Sequence, residues 1–109
     1  MSNSLYVVIW AFEVKPESQA DFENIYGPDG DWDLLFRYSS EYRGTQLLCD
    51  FNRPGRYFTL DYWASGEALR EFKHAHKAEY DAYDERCEAL TEKEFLIGEF
   101  TTLNSPTDK

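Results

Sequence analysis

LYVVIWAFEV, residues 5–14, is apolar on both of its alternating faces. β-branched and aromatic residues dominate this stretch, and Lys15-Pro16 ends it, which is typical of a β-strand. Its two faces consist of Tyr6, Val8, Trp10 and Phe12 on one side and Leu5, Val7, Ile9 and Ala11 on the other. A strand with one solvated face alternates apolar and polar residues, so we expect this strand to be covered on both sides.

The rest of the chain supplies helices and three more strands. Pro16 suits the first turn of a helix that runs to about Tyr26, and a second short helix follows from about Trp32. Ser65 is a typical N-cap for a long helix to about Leu90. The predicted strands after the first are 44–51, 57–63 and 94–103. The order predicts an α+β, ferredoxin-like βαββαβ fold, an antiparallel four-stranded sheet with helices on one face.

The second apolar face of the sheet predicts the assembly. The third strand also has two sides, with Phe58, Leu60 and Tyr62 opposite Tyr57, Thr59, Asp61 and Trp63. Helices on one face leave the other exposed, which is a liability in a monomer. We therefore expect a homodimer, in which the side with Trp10, Asp61 and Trp63 faces the helices. The opposite side, with Leu5, Val7, Ile9, Ala11, Phe58, Leu60 and Tyr62, then closes a dimeric α+β barrel.

Composition limits the class of protein. The chain has 109 residues, a net charge of −10 and 17% aromatic residues, which indicates one globular domain over 1–103, with a flexible polar tail at 104–109. The acidity disfavours nucleic acid and anionic membranes as partners. Cys49 and Cys87 have apolar neighbours and are predicted to be buried free thiols.

With no signal peptide or membrane-spanning run, we expect a cytoplasmic protein. No cofactor-binding or metal-binding motif occurs.

His76 is the first candidate for chemistry. It belongs to the apolar stripe of the long helix, which consists of Leu69, Phe72, His76, Tyr80, Tyr83, Cys87 and Leu90. An imidazole that faces the sheet can act as a base, a hydrogen-bond donor or a metal ligand. The alternative is a core histidine satisfied by one carboxylate or carbonyl group.

Asp61 is the second candidate, because it lies mid-strand among apolar residues. Burial raises the pKa of an unpaired carboxyl group toward neutrality, as a general base requires. The alternative is an ordinary pairing with Arg37, Arg86 or a tyrosine hydroxyl. His76 and Asp61 are predicted to meet in the cleft between long helix and sheet. The residues predicted to shape a substrate pocket there are Trp10, Trp63, Tyr57, Phe72 and Tyr80, although the same side chains also suit a simple core.

The chain resembles a known family in several segments, among them VIWAFEVKPE at 8–17, FENIYGPDGDWDLLF at 22–36, GTQLL at 44–48 and the segment 56–65, which begins RYFTLDYW. FKHAHKAEYDAYDERCEALTEKE at 72–94 completes the match. The family is the antibiotic biosynthesis monooxygenase-like domains of the dimeric α+β barrel superfamily. The resemblance implies this fold and an oxygenase that needs no cofactor, because its aromatic or quinol substrate supplies the electrons to oxygen.

The resemblance also brings in haem-degrading relatives, for which His76 matches the proximal histidine. This chain departs from their pattern, because Trp10 stands where they carry an asparagine and would fill space that a porphyrin needs. Three hypotheses follow: a cofactor-independent monooxygenase of a small aromatic or quinol, a non-catalytic ligand-binding or structural barrel, and a haem-binding protein.

Overall fold

Residues 4–103 are described by the structure, a computed structural model, and they alternate strands and helices as the pattern predicts. The strands are β1 (Tyr6–Val14), β2 (Tyr42–Cys49), β3 (Arg56–Trp63) and β4 (Thr91–Thr101). The α-helices are α1 (Gln19–Tyr26), α2 (Asp31–Phe36), α3 (Gly66–Ala75) and α4 (Lys77–Cys87). Short 3₁₀ turns at Pro16–Ser18 and Glu88–Leu90 precede α1 and follow α4. The tail predicted at 104–109 lies outside the described residues.

The four strands form one antiparallel sheet in the order β2-β3-β1-β4. The doubly apolar strand β1 therefore lies inside the sheet, between β3 and β4. This order and the helices that follow β1 and β3 confirm the predicted ferredoxin-like α+β fold. None of the helices in residues 4–103 is long and apolar enough to cross a membrane.

The helix-covered face of the sheet carries the core, as predicted. Val8 and Phe12 of β1 lie in one buried cluster with Trp63 of β3 and with residues of all four helices. Trp10 packs against this cluster and is partly buried. The period-two pattern of β1 and β3 thus assigned the covered side correctly.

The opposite side is the helix-free face. Residues paired directly across neighbouring strands share a face, so the pairing defines its members. They are Val7, Ile9, Ala11, Gln46, Leu48, Phe58, Leu60, Tyr62, Phe95 and Phe100, together with Gly44 and Gly98 and, at one end, the charged Glu13, Arg56 and Lys93. Leu48, Phe95 and Phe100 are 47%, 48% and 44% exposed, so a single chain leaves large apolar side chains uncovered here.

Two local predictions are wrong. The long helix is not continuous, because His76 has φ −119° and ψ 34° and separates α3 from α4. Neither proline nor glycine stands near this break, so the apolar periodicity continues through it without a signal. Cys87 is buried as expected, but Cys49 is exposed because it ends the edge strand β2.

Candidate active site

A cavity of about 150 Å³ lies between the helices and the helix-covered face. Its wall is mainly aromatic, and four side chains add oxygen atoms to it. The aromatic members are Trp10, Phe12, Tyr26, Trp32, Phe36 and Tyr80, and the polar members are Thr59, Asp61, Asp84 and Glu94. Each of the four strands except β2, and each helix except α3, contributes to this wall.

The aromatic wall is held together by ring contacts between elements. Trp32 of α2 meets Tyr80 of α4 edge-to-face, with ring centroids 5.0 Å apart. Phe12 of β1 meets Tyr26 of α1 at 5.0 Å. Such pairs stabilise more than their buried area alone does. Packing of α1, α2 and α4 against the sheet therefore fixes the shape of the cavity.

Asp61 brings a carboxylate to this apolar wall. Its partner is Thr45 of the neighbouring strand β2, whose hydroxyl donates to Asp61 Oδ1 at 2.7 Å. Burial raises the pKa of Asp61 to about 6, and the negative charge of Asp33 acts in the same direction. The hydrogen bond from Thr45 and the charge of Lys73 oppose this rise. Asp61 is thus a carboxyl group that changes protonation near neutral pH, as a general base requires.

The arginines expected as alternative partners of Asp61 pair elsewhere. Arg37 Nη2 donates to Asp33 Oδ2 at 2.7 Å and to Asp29 Oδ1 at 2.6 Å. Arg86 Nη2 lies 3.8 Å from Asp31 Oδ2. No ion pair between Asp61 and a basic side chain occurs within residues 4–103. Its pKa is therefore not lowered by a direct salt bridge.

Thr45 connects Asp61 to a second buried carboxylate. The Thr45 hydroxyl also contacts the Tyr42 hydroxyl, which donates to Asp33 Oδ1 at 2.6 Å. Burial alone would raise the pKa of Asp33. Hydrogen bonds from Tyr42, the Asp29 backbone amide and Arg37 outweigh burial and hold that pKa below its usual value. One carboxylate of this cluster therefore stays ionised, while the other titrates near neutrality.

The remaining polar groups make the cavity acidic. Burial raises the pKa of Glu94, and the charges of Asp84 and Glu88 add to the effect. Burial also raises the pKa of Tyr80, as do the nearby carboxylates of Asp84 and Asp61. None of the described residues that line the cavity is basic.

His76 and Phe72 line a different depression, beside the loop after α2. The imidazole stacks between the rings of Tyr38 and Phe72, with centroids 5.4 and 4.8 Å away. Its Nδ1 lies 3.8 Å from Glu79 Oε2. The structure therefore does not bring His76 and Asp61 together, because the helix is broken at His76. The cavity that contains Trp10 has no histidine among its described lining residues to bind a haem iron.

Trp63 and Tyr57, both predicted to shape the pocket, are core residues. Trp63 is 0% exposed and packs against Phe36, Tyr42 and Phe72. Tyr57 is 1% exposed, and its hydroxyl donates to Glu23. Both lie on the predicted face of β3, but the wall of the cavity does not include them. Of the predicted site residues, Asp61, Trp10 and Tyr80 line the cavity.

Sequence reasoning does not identify Tyr42 and Thr45 as neighbours of Asp61. The signal in the sequence is Gly44, which lies at a bulge in β2. Residues three apart in a regular strand lie on opposite faces. Here the pairing register shifts between Tyr42 and Gly44, and Gly44 has φ +111°. This bulge places Tyr42 beside Trp63 and Thr45 beside Asp61, both on the helix-covered face. A glycine near the start of a strand often marks such a bulge.

Comparisons with known proteins find matches in structure. No family model matches this chain, and no curated protein matches it by sequence. A variant of SnoaB, a cofactor-independent oxygenase from Streptomyces nogalater, matches in structure with a TM-score of 0.76 at 16% identity, over 98% of this chain and 100% of its own. A Bordetella bronchiseptica protein assigned as an antibiotic biosynthesis monooxygenase matches with a TM-score of 0.71 at 16% identity, over 94% and 99%. At such identities the likeness establishes a shared fold.

Proposed function

We propose that this chain is a cofactor-independent oxygenase of a small, uncharged phenol or hydroquinone, which reacts in the aromatic cavity. The observation that carries the proposal is Asp61, a carboxyl group with a pKa of about 6 that opens into a cavity walled by aromatic rings. The fold shared with SnoaB, a cofactor-independent oxygenase, supports the same class of reaction.

Asp61 acts as the general base in this proposal. It takes the proton of the substrate hydroxyl, and the resulting electron-rich phenolate reduces molecular oxygen. With hydroquinone, C₆H₆O₂ and O₂ give hydroxyquinone, C₆H₄O₃, and water. One oxygen atom enters the ring and the other leaves as water, so the ring supplies all the electrons. The aromatic wall contributes by excluding water from the reactive anion.

The cavity's size limits the substrate. A volume of about 150 Å³ suits a ligand of roughly one aromatic ring, since an apolar cavity of about this size binds benzene. Trp10, Trp32 and Tyr80 offer ring faces and edges to such a ligand. We therefore propose single-ring substrates, and larger ring systems require the wall to move.

The charge of the wall predicts discrimination between ligands. Asp61, Asp84 and Glu94 repel an anion in a poorly solvated site, where charges interact more strongly than in water. We expect 2,5-dihydroxybenzoate to bind at least ~10-fold more weakly than its methyl ester, a penalty of about 1.4 kcal/mol. Calorimetric titration of both at pH 7.5 measures the difference. The ester is the matched control for size, and equal affinities would contradict an acidic binding site.

Oxygen uptake tests the proposed activity directly. We expect the protein to accelerate oxygen consumption with methyl 2,5-dihydroxybenzoate or hydroquinone above the rate of spontaneous oxidation. With ¹⁸O₂, mass spectrometry should find one labelled atom in the quinone product. Catalase in the assay halves the oxygen uptake of a simple oxidase, because it returns half of the oxygen from the released peroxide, and such an oxidase inserts no label. Ligand binding without uptake would instead favour the non-catalytic barrel.

The assembly proposed with this function is a homodimer through the helix-free face. That face exposes Leu48, Phe95 and Phe100, and its charged side chains, Glu13, Arg56 and Lys93, lie together at one end of it. A chain with 21 acidic and 11 basic residues repels its own copies elsewhere, so this mainly apolar face is where two copies meet at least cost. The cavity lies on the other side of the sheet and is built within one chain.

A further inference from the structure

Four side chains connect the cavity to α2 through consecutive oxygen contacts. Asp61 Oδ1 lies 2.7 Å from Thr45 Oγ1, Thr45 Oγ1 contacts the hydroxyl of Tyr42, and this hydroxyl lies 2.6 Å from Asp33 Oδ1. We call this series the oxygen chain. Asp61 is its cavity end, whereas Thr45, Tyr42 and Asp33 stand behind the wall.

The number of hydrogens in the oxygen chain depends on Asp61. Each of the three contacts needs one hydrogen, and the two hydroxyl groups carry one each. When both carboxylates are ionised, Thr45 donates to Asp61 and Tyr42 donates to Asp33. The contact between Thr45 and Tyr42 then has no hydrogen, and two oxygen lone pairs face each other. A third proton is needed to convert all three contacts into hydrogen bonds.

Asp61 is the place for the third proton. Asp33 already accepts hydrogen bonds from Arg37 and from the Asp29 backbone amide, which favour its ionised form. A proton on Asp61 lets this residue donate to Thr45. The Thr45 hydrogen then turns toward Tyr42, and Tyr42 continues to donate to Asp33.

We propose that Tyr42 is a positioning residue that acts through Thr45 and makes Asp61 a stronger proton acceptor, because a proton taken up by Asp61 completes the oxygen chain. In the transfer the ligand's O–H bond breaks, an O–H bond forms on Asp61, and the Thr45 hydroxyl rotates. The catalytic consequence rests on the proposed function, whereas the hydrogen count requires no substrate.

The other charged groups around Asp61 come from several elements. Asp33 of α2 favours the protonated form of Asp61, and Lys73 of α3 favours the ionised form. Tyr80 and Asp84 of α4 and Glu94 of β4 line the same cavity. These groups act through space. Replacing the Tyr42 hydroxyl removes one donor from Asp33, but Arg37 and the Asp29 backbone amide still donate to it and favour its ionised form. A change of the Asp61 titration in that variant therefore reports on the oxygen chain.

Carboxyl ¹³C NMR titration of Asp61 tests the proposal on the unliganded protein. We expect Tyr42→Phe to lower the Asp61 midpoint by about one pH unit, because Thr45 then donates to the ionised carboxylate without a competing contact. Thr45→Val should raise it by a similar amount, because the ionised form loses its donor. Phenylalanine keeps the ring contacts with Phe36 and Trp63. Tyr62→Phe, which removes a hydroxyl bonded to Gln46 on the helix-free face, is the matched control and should leave the midpoint unchanged.

An Asp61 midpoint that stays constant or rises in Tyr42→Phe would overturn the proposal, since a tyrosine that only packs against its neighbours would not lower the Asp61 midpoint when its hydroxyl is removed. If either variant fails to fold, a measurement on the unmodified protein tests the same proposal. The ¹³Cζ signal of Tyr42 should shift with the Asp61 midpoint, as Tyr42 gains a hydrogen bond from Thr45, and a flat signal would overturn the proposal. Neither readout depends on oxygen uptake, so the oxygen chain and the oxygenase activity fail separately.

Discussion

Replacing Asp61 with asparagine is expected to reduce ¹⁸O incorporation from hydroquinone by roughly 10²–10⁴-fold, the usual contribution of a general base. Asparagine has nearly the same shape and can still accept the hydrogen bond from Thr45, but it cannot take a proton. In the unmodified protein the rate should rise with pH through about 6, as Asp61 becomes ionised. The asparagine variant should lose this rise, and an unchanged rate and pH profile would remove Asp61 from the mechanism.

The stability of the same variant separates lost chemistry from lost structure. The pKa of Asp61 rises from 3.8 to about 6 on folding, so the folded state binds this proton more tightly. The resulting stabilisation is present below pH 4 and is lost as pH increases through about 6. At pH 8 the ionised carboxylate opposes folding, so Asp61→Asn should melt at the same temperature or higher. If Asp61→Asn instead melts at a lower temperature at pH 8, its loss of activity would be explained by unfolding.

The effect of His76→Ala on oxygen uptake tests the other residue that the sequence suggested for catalysis. His76 stacks on Tyr38 and Phe72 outside the cavity, so we expect its removal to change oxygen uptake far less than Asp61→Asn does. Loss of the stacking contacts lowers stability, and the assay is therefore made well below the melting temperature. An equal loss of activity in both variants would show that His76 also takes part.

The period-two pattern was sufficient to predict the fold and the sidedness of the sheet. Side chains alternate across a strand whatever the tertiary structure is, so β1 and β3 could be divided into two faces by counting. The same counting placed Asp61 and Trp10 on the helix-covered side. Burial of an aspartate among Leu60, Tyr62 and Trp63 then pointed to a raised pKa, which the structure bears out.

The arrangement around Asp61 depends on contacts that counting along one strand does not reveal. His76 left the cavity because the helix breaks at a residue that ordinary helix signals do not mark. Trp63 shares a face with Asp61, yet Phe36 and Phe72 cover it completely. Thr45 became the partner of Asp61 through the bulge at Gly44, which changes the register between two strands. Such features arise from packing between elements, so a single sequence underdetermines them.

The second large effect is expected at the helix-free face. Leu60 of β3 lies opposite Ile9 on one side and Gln46 on the other, so it is surrounded by members of this face. It is partly buried in the single chain. A glutamate at this position can point into solvent in a monomer, but in the proposed dimer it is covered by the second sheet. Because a two-fold interface contains every residue twice, Leu60→Glu introduces two unpaired charges.

Leu60→Glu is therefore expected to convert a dimer into a monomer. Each buried unpaired charge costs about 3–5 kcal/mol, so two of them weaken the dimer by ~10⁴-fold or more. Sedimentation equilibrium should give twice the chain mass for the unmodified protein and a single chain mass for the variant. Leu34→Glu is the matched control, because Leu34 is 51% exposed on α2, away from this face, and should leave the dimer intact. A monomeric unmodified protein would contradict the assembly. The cavity lies entirely within one chain, so the monomeric variant should still bind methyl 2,5-dihydroxybenzoate.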